Sequence, residues 1–151
     1  MLLIDSDVFV IDRRYRKDPK YELNKNFLDF VHEKEKYTTI FNVLEITGIL
    51  SYNLSTSDIE AFYYAFPNYY KINIICPATN SLSADSFMSK LTDDICEIIK
   101  KKMNFGDALI LKTAIDNHIE TYVGWNIRHF KGKAKMSFYT PADYLEAHDK
   151  M

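Results

Sequence analysis

Short apolar or β-branched runs alternate with helix-length segments along the whole chain, and this alternation constrains the fold more than any other feature. "MLLID" (1–5) reads as a buried strand ending in an acid. A helical turn through "SDVFVIDRRY" follows, and "DPK" breaks it. Helical spacing of Leu23, Phe27, Phe30 and Val31 marks 21–35, and "YTTIF" (37–41) has strand composition. Helices are expected over 42–53 and from "STSD" to the neighbourhood of Pro67, then a strand over 71–77. A capped helix (83–102), a second helix (106–118) and a strand (120–125) come next, then an edge strand over 135–140 and a short helix from Pro141. Helices alternating with strands predict a three-layer α/β/α fold around a central, mostly parallel sheet of four to five strands. With 151 residues, 47% of them hydrophobic, and neither repeat nor linker, one domain over 1–151 is expected.

Composition removes several function classes. No apolar run approaches the roughly 20 residues of a membrane helix. "MLLIDSDVFVI" lacks a basic start and carries acids in its apolar run, so a cytoplasmic protein without a cleaved signal is expected. Cys76 and Cys96 form no C-x-x-C pair and read as buried free thiols. The four glycines are too scattered for a dinucleotide fingerprint or a phosphate loop. The four histidines show no zinc-ligand spacing. Net charge is −2, but the charge is uneven. "RRYRKDPK" (13–20), "KKK" (100–102) and "KGKAK" (131–135) are basic, and each is either a solvated loop or a hold on a phosphate backbone.

In a parallel sheet the ligand crevice lies beyond the carboxyl ends of the strands. Asp5 closes the first strand, Glu45 lies in the first turn of the helix after the second, Asp107 opens the helix before the fourth, and Asn126 follows it. Each has an ordinary reading: Asp5 as a cap, Glu45 paired with an N-cap Asn42, Asp107 on a helix dipole, Asn126 in a turn. Taken together they form a carboxylate cluster that repels itself unless a divalent cation neutralises it. Mg²⁺ and Mn²⁺ prefer such oxygen ligands, and a site of this kind suits phosphodiester hydrolysis. Asp7 reads as a helix cap or a ligand through water. Asp116, nine residues after Asp107, falls on the opposite helix face and is expected in solvent, while Ile110, Leu111 and Ala114 share the Asp107 side and should pack inside. Asp93 and Asp94 read as surface charge, and Asp12 goes with the basic loop.

In this order, "LLIDSDVFV", "FNVLEITGIL", "MNFGDALILKTA" and "YVGWNIRHF" resemble the PIN domain family, and within it the VapC-type toxins of bacterial and archaeal toxin–antitoxin pairs. The resemblance spans nearly the whole chain, including "FYTPADYLE" near its end. It implies a metal-dependent endoribonuclease with Asp5, Glu45 and Asp107 as ligands of Mg²⁺ or Mn²⁺. Asn126 stands at the family's fourth position, where Asp is common and Asn also occurs. Ser6 matches the usual Thr or Ser, and Asp7 stands where Asn is frequent. Gly124 replaces a small hydroxyl residue, which removes one orienting hydrogen bond, about 1 kcal/mol.

The resemblance also implies an RNA substrate, a small antitoxin protein as partner, and a homodimer. The alternatives are a catalytically degenerate PIN-like module that binds RNA or protein, and a PIN RNA-processing nuclease outside any toxin–antitoxin pair. Arg13, Arg14, Arg16 and Lys17 are expected to contact RNA phosphates or the antitoxin. The six aromatics of "FYYAFPNYY" (62–70) exceed what one helix face can bury, so some are expected at the surface. Trp125 is expected to pack under a helix, and His129 to lie near phosphate.

Overall fold

The computed structural model describes residues 1–148. Five parallel strands form one sheet: β1 (Leu2–Ile4), β2 (Lys36–Thr39), β3 (Asn73–Ile75), β4 (Thr121–Val123) and β5 (Ser137–Tyr139). Their order is β3-β2-β1-β4-β5, so the chain starts in the middle of the sheet. The expected "mostly parallel" sheet is parallel throughout, and the edge strand expected over 135–140 pairs with β4 as β5.

Alternation along β1 sets the layers. Leu2 and Ile4 face one side, with α1 (Ser6–Arg14), α2 (Tyr21–Phe30), α3 (Ile40–Ser51), α4 (Thr56–Tyr70) and α7 (Pro141–His148). Phe9, Phe27, Val43 and Phe66 fill the core of that side, and the rings of Phe9 and Phe66 meet edge to face at 5.1 Å. Leu3 faces the other side, under α5 (Ala84–Ile99) and α6 (Phe105–Asp116), where Ile110, Leu111 and Ala114 are buried as expected.

Several boundaries differ from expectation for identifiable reasons. Ile40 and Phe41, counted as strand, belong to α3. Its N-cap is Thr39, not Asn42: Thr39 accepts from the Asn42 N–H (3.1 Å), and the Asn42 amide oxygen accepts from the Thr39 N–H (3.1 Å). Pro67 does not end α4, which runs on to Tyr70 and stops where Lys71 turns left-handed (φ 47°). Pro67 lies in the last turn, where the helix is about to end anyway. Phe66 and Tyr70 are buried, while Tyr64 (70% exposed) and Tyr69 (56%) lie outside, so the aromatic run is divided between core and surface.

Cys76 and Cys96 are free but exposed, not buried. Asp116 is not in open solvent: it accepts from the buried Lys112, which also meets Asp94 at 3.1 Å and so ties α6 to α5. Asp94, read as plain surface charge, is thus part of a small ion network, with Lys90 at 2.6 Å. Asp12 accepts from the Tyr70 hydroxyl (2.7 Å) rather than joining the basic loop. Among the described residues no helix is long and apolar enough to cross a membrane.

Candidate metal centre

The carboxyl ends of β1, β2 and β4 open on the same edge of the sheet, and the predicted residues gather there. Asp5 follows Ile4 and caps α1. Its Oδ1 accepts three donors: the Ser6 N–H (2.8 Å), the Ser6 hydroxyl (3.3 Å) and the Asn42 amide (2.9 Å). Its Oδ2 accepts no hydrogen bond among the described residues. Ser6 also donates to Glu45 Oε2, so one hydroxyl bridges the first two predicted ligands. Asp107 opens α6. Its N–H is capped by Asn104 Oδ1 (2.8 Å), and its Oδ2 accepts from the Asn104 amide (2.8 Å).

The three carboxylates thus share one pattern. Each has one oxygen held by a neighbour and the other free of protein donors: Asp5 Oδ2, Glu45 Oε1 and Asp107 Oδ1. Asp7 is different. Both of its oxygens are occupied, accepting from the backbone N–H of Trp125 (3.1 and 2.9 Å) and of Asn126 (2.9 Å). It neither caps α1 nor offers a free oxygen; it clamps the chain after β4 to the start of α1.

Electrostatics point the same way. Burial pushes the Asp5 carboxyl well above the usual range, and the nearby charges of Asp7 and Glu45 add to the rise. No ion pair to Asp5 exists among the described residues. Burial also raises Asp7, against the two backbone N–H groups and Lys20, which favour its charge. Asp107 is raised by burial too, partly opposed by His129, Asn104 and Lys133.

Tyr122 is the residue that sequence reasoning missed. In β4 it is in register with Leu3, two positions before Gly124, and its ring is wholly buried. Its hydroxyl feels the charges of Asp5, Asp7 and Asp107, which raise its pKa beyond the effect of burial. Despite the closeness of Asp5, the hydroxyl makes no hydrogen bond of good geometry. It is an orphaned buried polar atom near Asp5. The available signal was its place on the same face of the sheet as Asp5, and that needed the strand register.

The structure also corrects the reading of Gly124. A Cβ at this position would meet Asp5 Cβ at 2.8 Å and Asp5 Oδ2 at 3.0 Å. The position is not a gap left by a missing hydroxyl; Asp5 packs against the bare backbone there. Asn126 follows at an exposed position, and the contact it makes is through its backbone N–H to Asp7. Trp125 is half-buried against the α1/α2 side, as expected, and its indole N–H donates to Asn24 (2.8 Å).

In chemistry, the free atoms are carboxylate oxygens, the donor type that Mg²⁺ and Mn²⁺ prefer. The arrangement is an open crevice, not a closed cage. Among the described residues no three His, Cys, Asp or Glu side chains are drawn together closely enough to hold an ion.

No protein-family model matches the chain, and no curated protein matches it. Solved structures do. A chain of FitAB bound to an IR36 DNA fragment superposes with a TM-score of 0.62 at 17% identity, covering 93% of this chain and 95% of that one. A chain of VapBC2 from Rickettsia felis, bound to a DNA fragment from their promoter, gives 0.61 at 17% identity over 92% and 97%. A chain of FitAcB from Neisseria gonorrhoeae gives 0.63 at 16% over 94% and 99%. Together with five parallel strands between two helical layers, these superpositions over nearly the full chain make the fold PIN-like.

Proposed function

We propose that this chain is a metal-dependent endoribonuclease of the VapC type, with Asp5, Glu45 and Asp107 as ligands of Mg²⁺ or Mn²⁺ and Asn126 assisting. The observation that carries the reading is the division of labour among the acids. Asp5, Glu45 and Asp107 each keep one oxygen free, whereas Asp7 spends both on backbone N–H groups. A bound divalent cation would supply phosphate orientation, a more acidic water and charge stabilisation.

The chain's own residues hold the acids in position. Asn42 and the Ser6 N–H fix Asp5 Oδ1, which leaves Oδ2 as its open side. Ser6 keeps Glu45, from α3, beside Asp5. Asn104 orients Asp107 from within its own helix start. Asp7 holds the segment carrying Asn126 against α1. Carboxyls raised by burial ionise at higher pH than free ones, so activity is expected to rise with pH as Asp5 and Asp107 ionise.

The test is cleavage of a structured RNA such as tRNA in Mn²⁺ and in EDTA. Cleavage is expected with metal only, and Asp5→Ala or Asp107→Ala should reduce it at least a hundredfold. Unchanged cleavage in either variant would sink the assignment. The open crevice favours one competing reading, a degenerate module that binds without cutting. Millimolar Mn²⁺ separates the two: the nuclease reading expects a higher unfolding temperature in wild type and no shift in Asp5→Asn.

FitAB and VapBC2 were solved with DNA fragments, and VapBC2 bears the name of the toxin type that the sequence resembles. By that likeness this chain pairs with a small antitoxin protein, and the family resemblance of the sequence implies a homodimer. Light scattering at micromolar concentration is expected to give twice the mass of one chain.

A further inference from the structure

Two basic segments far apart in sequence meet in space. Lys101 Nζ donates to the Lys133 carbonyl (3.4 Å), and Lys133 Nζ donates back to the Lys102 carbonyl (2.8 Å). These reciprocal bonds pin the loop after α5, where Lys102 is left-handed (φ 62°), to the loop between β4 and β5. Residues 100–102 and 128–135 hold seven of the chain's 19 Lys and Arg residues and none of its 21 Asp and Glu. The other twelve cations face all 21 acids, so this ridge is the chain's main concentration of positive charge.

Two of the seven cations do the pinning, and Lys100 pairs with Glu97 on α5. Lys102, Arg128, Lys131 and Lys135 are exposed and form no ion pair among the described residues. The ridge also has a direction. Its 128–135 arm begins two residues after Asn126, just past the carboxyl end of β4, so one end of the ridge borders the crevice. The sequence-favoured alternative, the loop at 13–20, is weaker in the structure. Arg13 lies over the Tyr69 ring (4.0 Å), and Arg14 donates to the Ile49 carbonyl (3.0 Å), which leaves Arg16 and Lys17.

We propose that the ridge formed by residues 100–102 and 128–135 is a track for the phosphate backbone of RNA, delivering the strand to the crevice at Asp107. The choice of RNA rests on the ribonuclease reading above; the phosphate chemistry does not. Exposed cations that release counterions on binding give an affinity that falls steeply with salt. Three fewer of them should make that fall shallower.

The experiment is fluorescence anisotropy of a labelled RNA hairpin in EDTA, over a salt series, with the full chain. Wild type is expected to bind with a negative slope of log affinity against log salt. K102E/K131E/K135E is expected to bind about tenfold or more weakly, with a slope smaller in magnitude by about 2 to 3. R16E/K17E should lose less. Should the triple variant prove misfolded by circular dichroism, K131Q/K135Q replaces it, with an expected slope change of about 1 to 2. Unchanged affinity and slope in the ridge variant, a larger loss in R16E/K17E, or no RNA binding by wild type overturns the proposal. RNA bound along the ridge but never cut in Mn²⁺ defeats the ribonuclease reading and leaves the ridge standing. RNA cut normally, with full affinity in the ridge variant, does the reverse.

Discussion

Asp5 shows how much one residue carries. Its place after an apolar strand made it legible as a site residue, but its surroundings were not, because Tyr122, Gly124 and Asn42 come to it only through the register of β1, β4 and α3. Burial raises its pKa, with the charges of Asp7 and Glu45 adding to the rise, and burial raises Asp7 and Asp107 too. A folded-state pKa above the unfolded value means that the folded chain binds more protons between the two, so stability falls as pH rises through that window. In EDTA the unfolding temperature is therefore expected to rise on acidification from neutral towards the ordinary carboxylate range. Glu33, Asp94 and Glu120 act oppositely, but they lie at the surface where solvent screens them. Asp5→Asn should flatten the profile; a variant as pH-dependent as wild type would refute Asp5 as its source. Gly124→Ala tests the close approach directly. Its Cβ must displace Asp5, and overpacking of this kind costs about 1–3 kcal/mol, measurable by urea denaturation.

At the scale of elements, α3 shows where sequence reading went wrong and why. "YTTIF" followed by Asn-x-x-Glu suggested a capping pair of Asn42 with Glu45, and propensity favoured strand for Ile40 and Phe41. The structure uses Thr39 with Asn42, because starting the helix there leaves the Asn42 amide N–H₂ free to reach Asp5. Glu45 is thereby released from capping and turned to Ser6. One side chain closes the helix end and orients a candidate ligand, and no local pattern could separate the two roles. Asn42→Ala removes both, leaving the Thr39 N–H unpaired and taking one of three donors from Asp5 Oδ1, at a cost of about 2–4 kcal/mol. Asn42→Asp keeps an acceptor for Thr39 but sets a third carboxylate against Asp5 and Glu45. Its loss of stability in EDTA is expected to shrink on acidification, whereas that of Asn42→Ala should not. Equal pH profiles for the two variants would separate Asn42 from the Asp5 environment.

Across the whole molecule, the class of fold was legible because strand and helix alternate in the sequence, and periodicity survives errors of two or three residues at each boundary. The strand order was not. β1 pairs with β4 across most of the chain, Leu3 opposite Tyr122, and nothing local encodes that partner. The same pairing has a mechanical consequence. β1 lies at the centre of the sheet, with Ile4 in one core and Leu3 in the other, so neither helical layer can lose its packing without exposing the strand that supports its opposite. Unfolding should be a single cooperative event. Trp125, the only Trp, reports on the α1/α2 side, while Leu111 is buried on the far side beneath α6. Leu111→Ala is expected to cost about 2–5 kcal/mol through the cavity it leaves. In urea it should move the Trp125 fluorescence transition by the same amount as the far-ultraviolet circular dichroism transition, with the slope unchanged. A Trp125 transition that stays at the wild-type midpoint while the helical signal melts early would show that the two layers unfold independently, and that the central strand does not couple them.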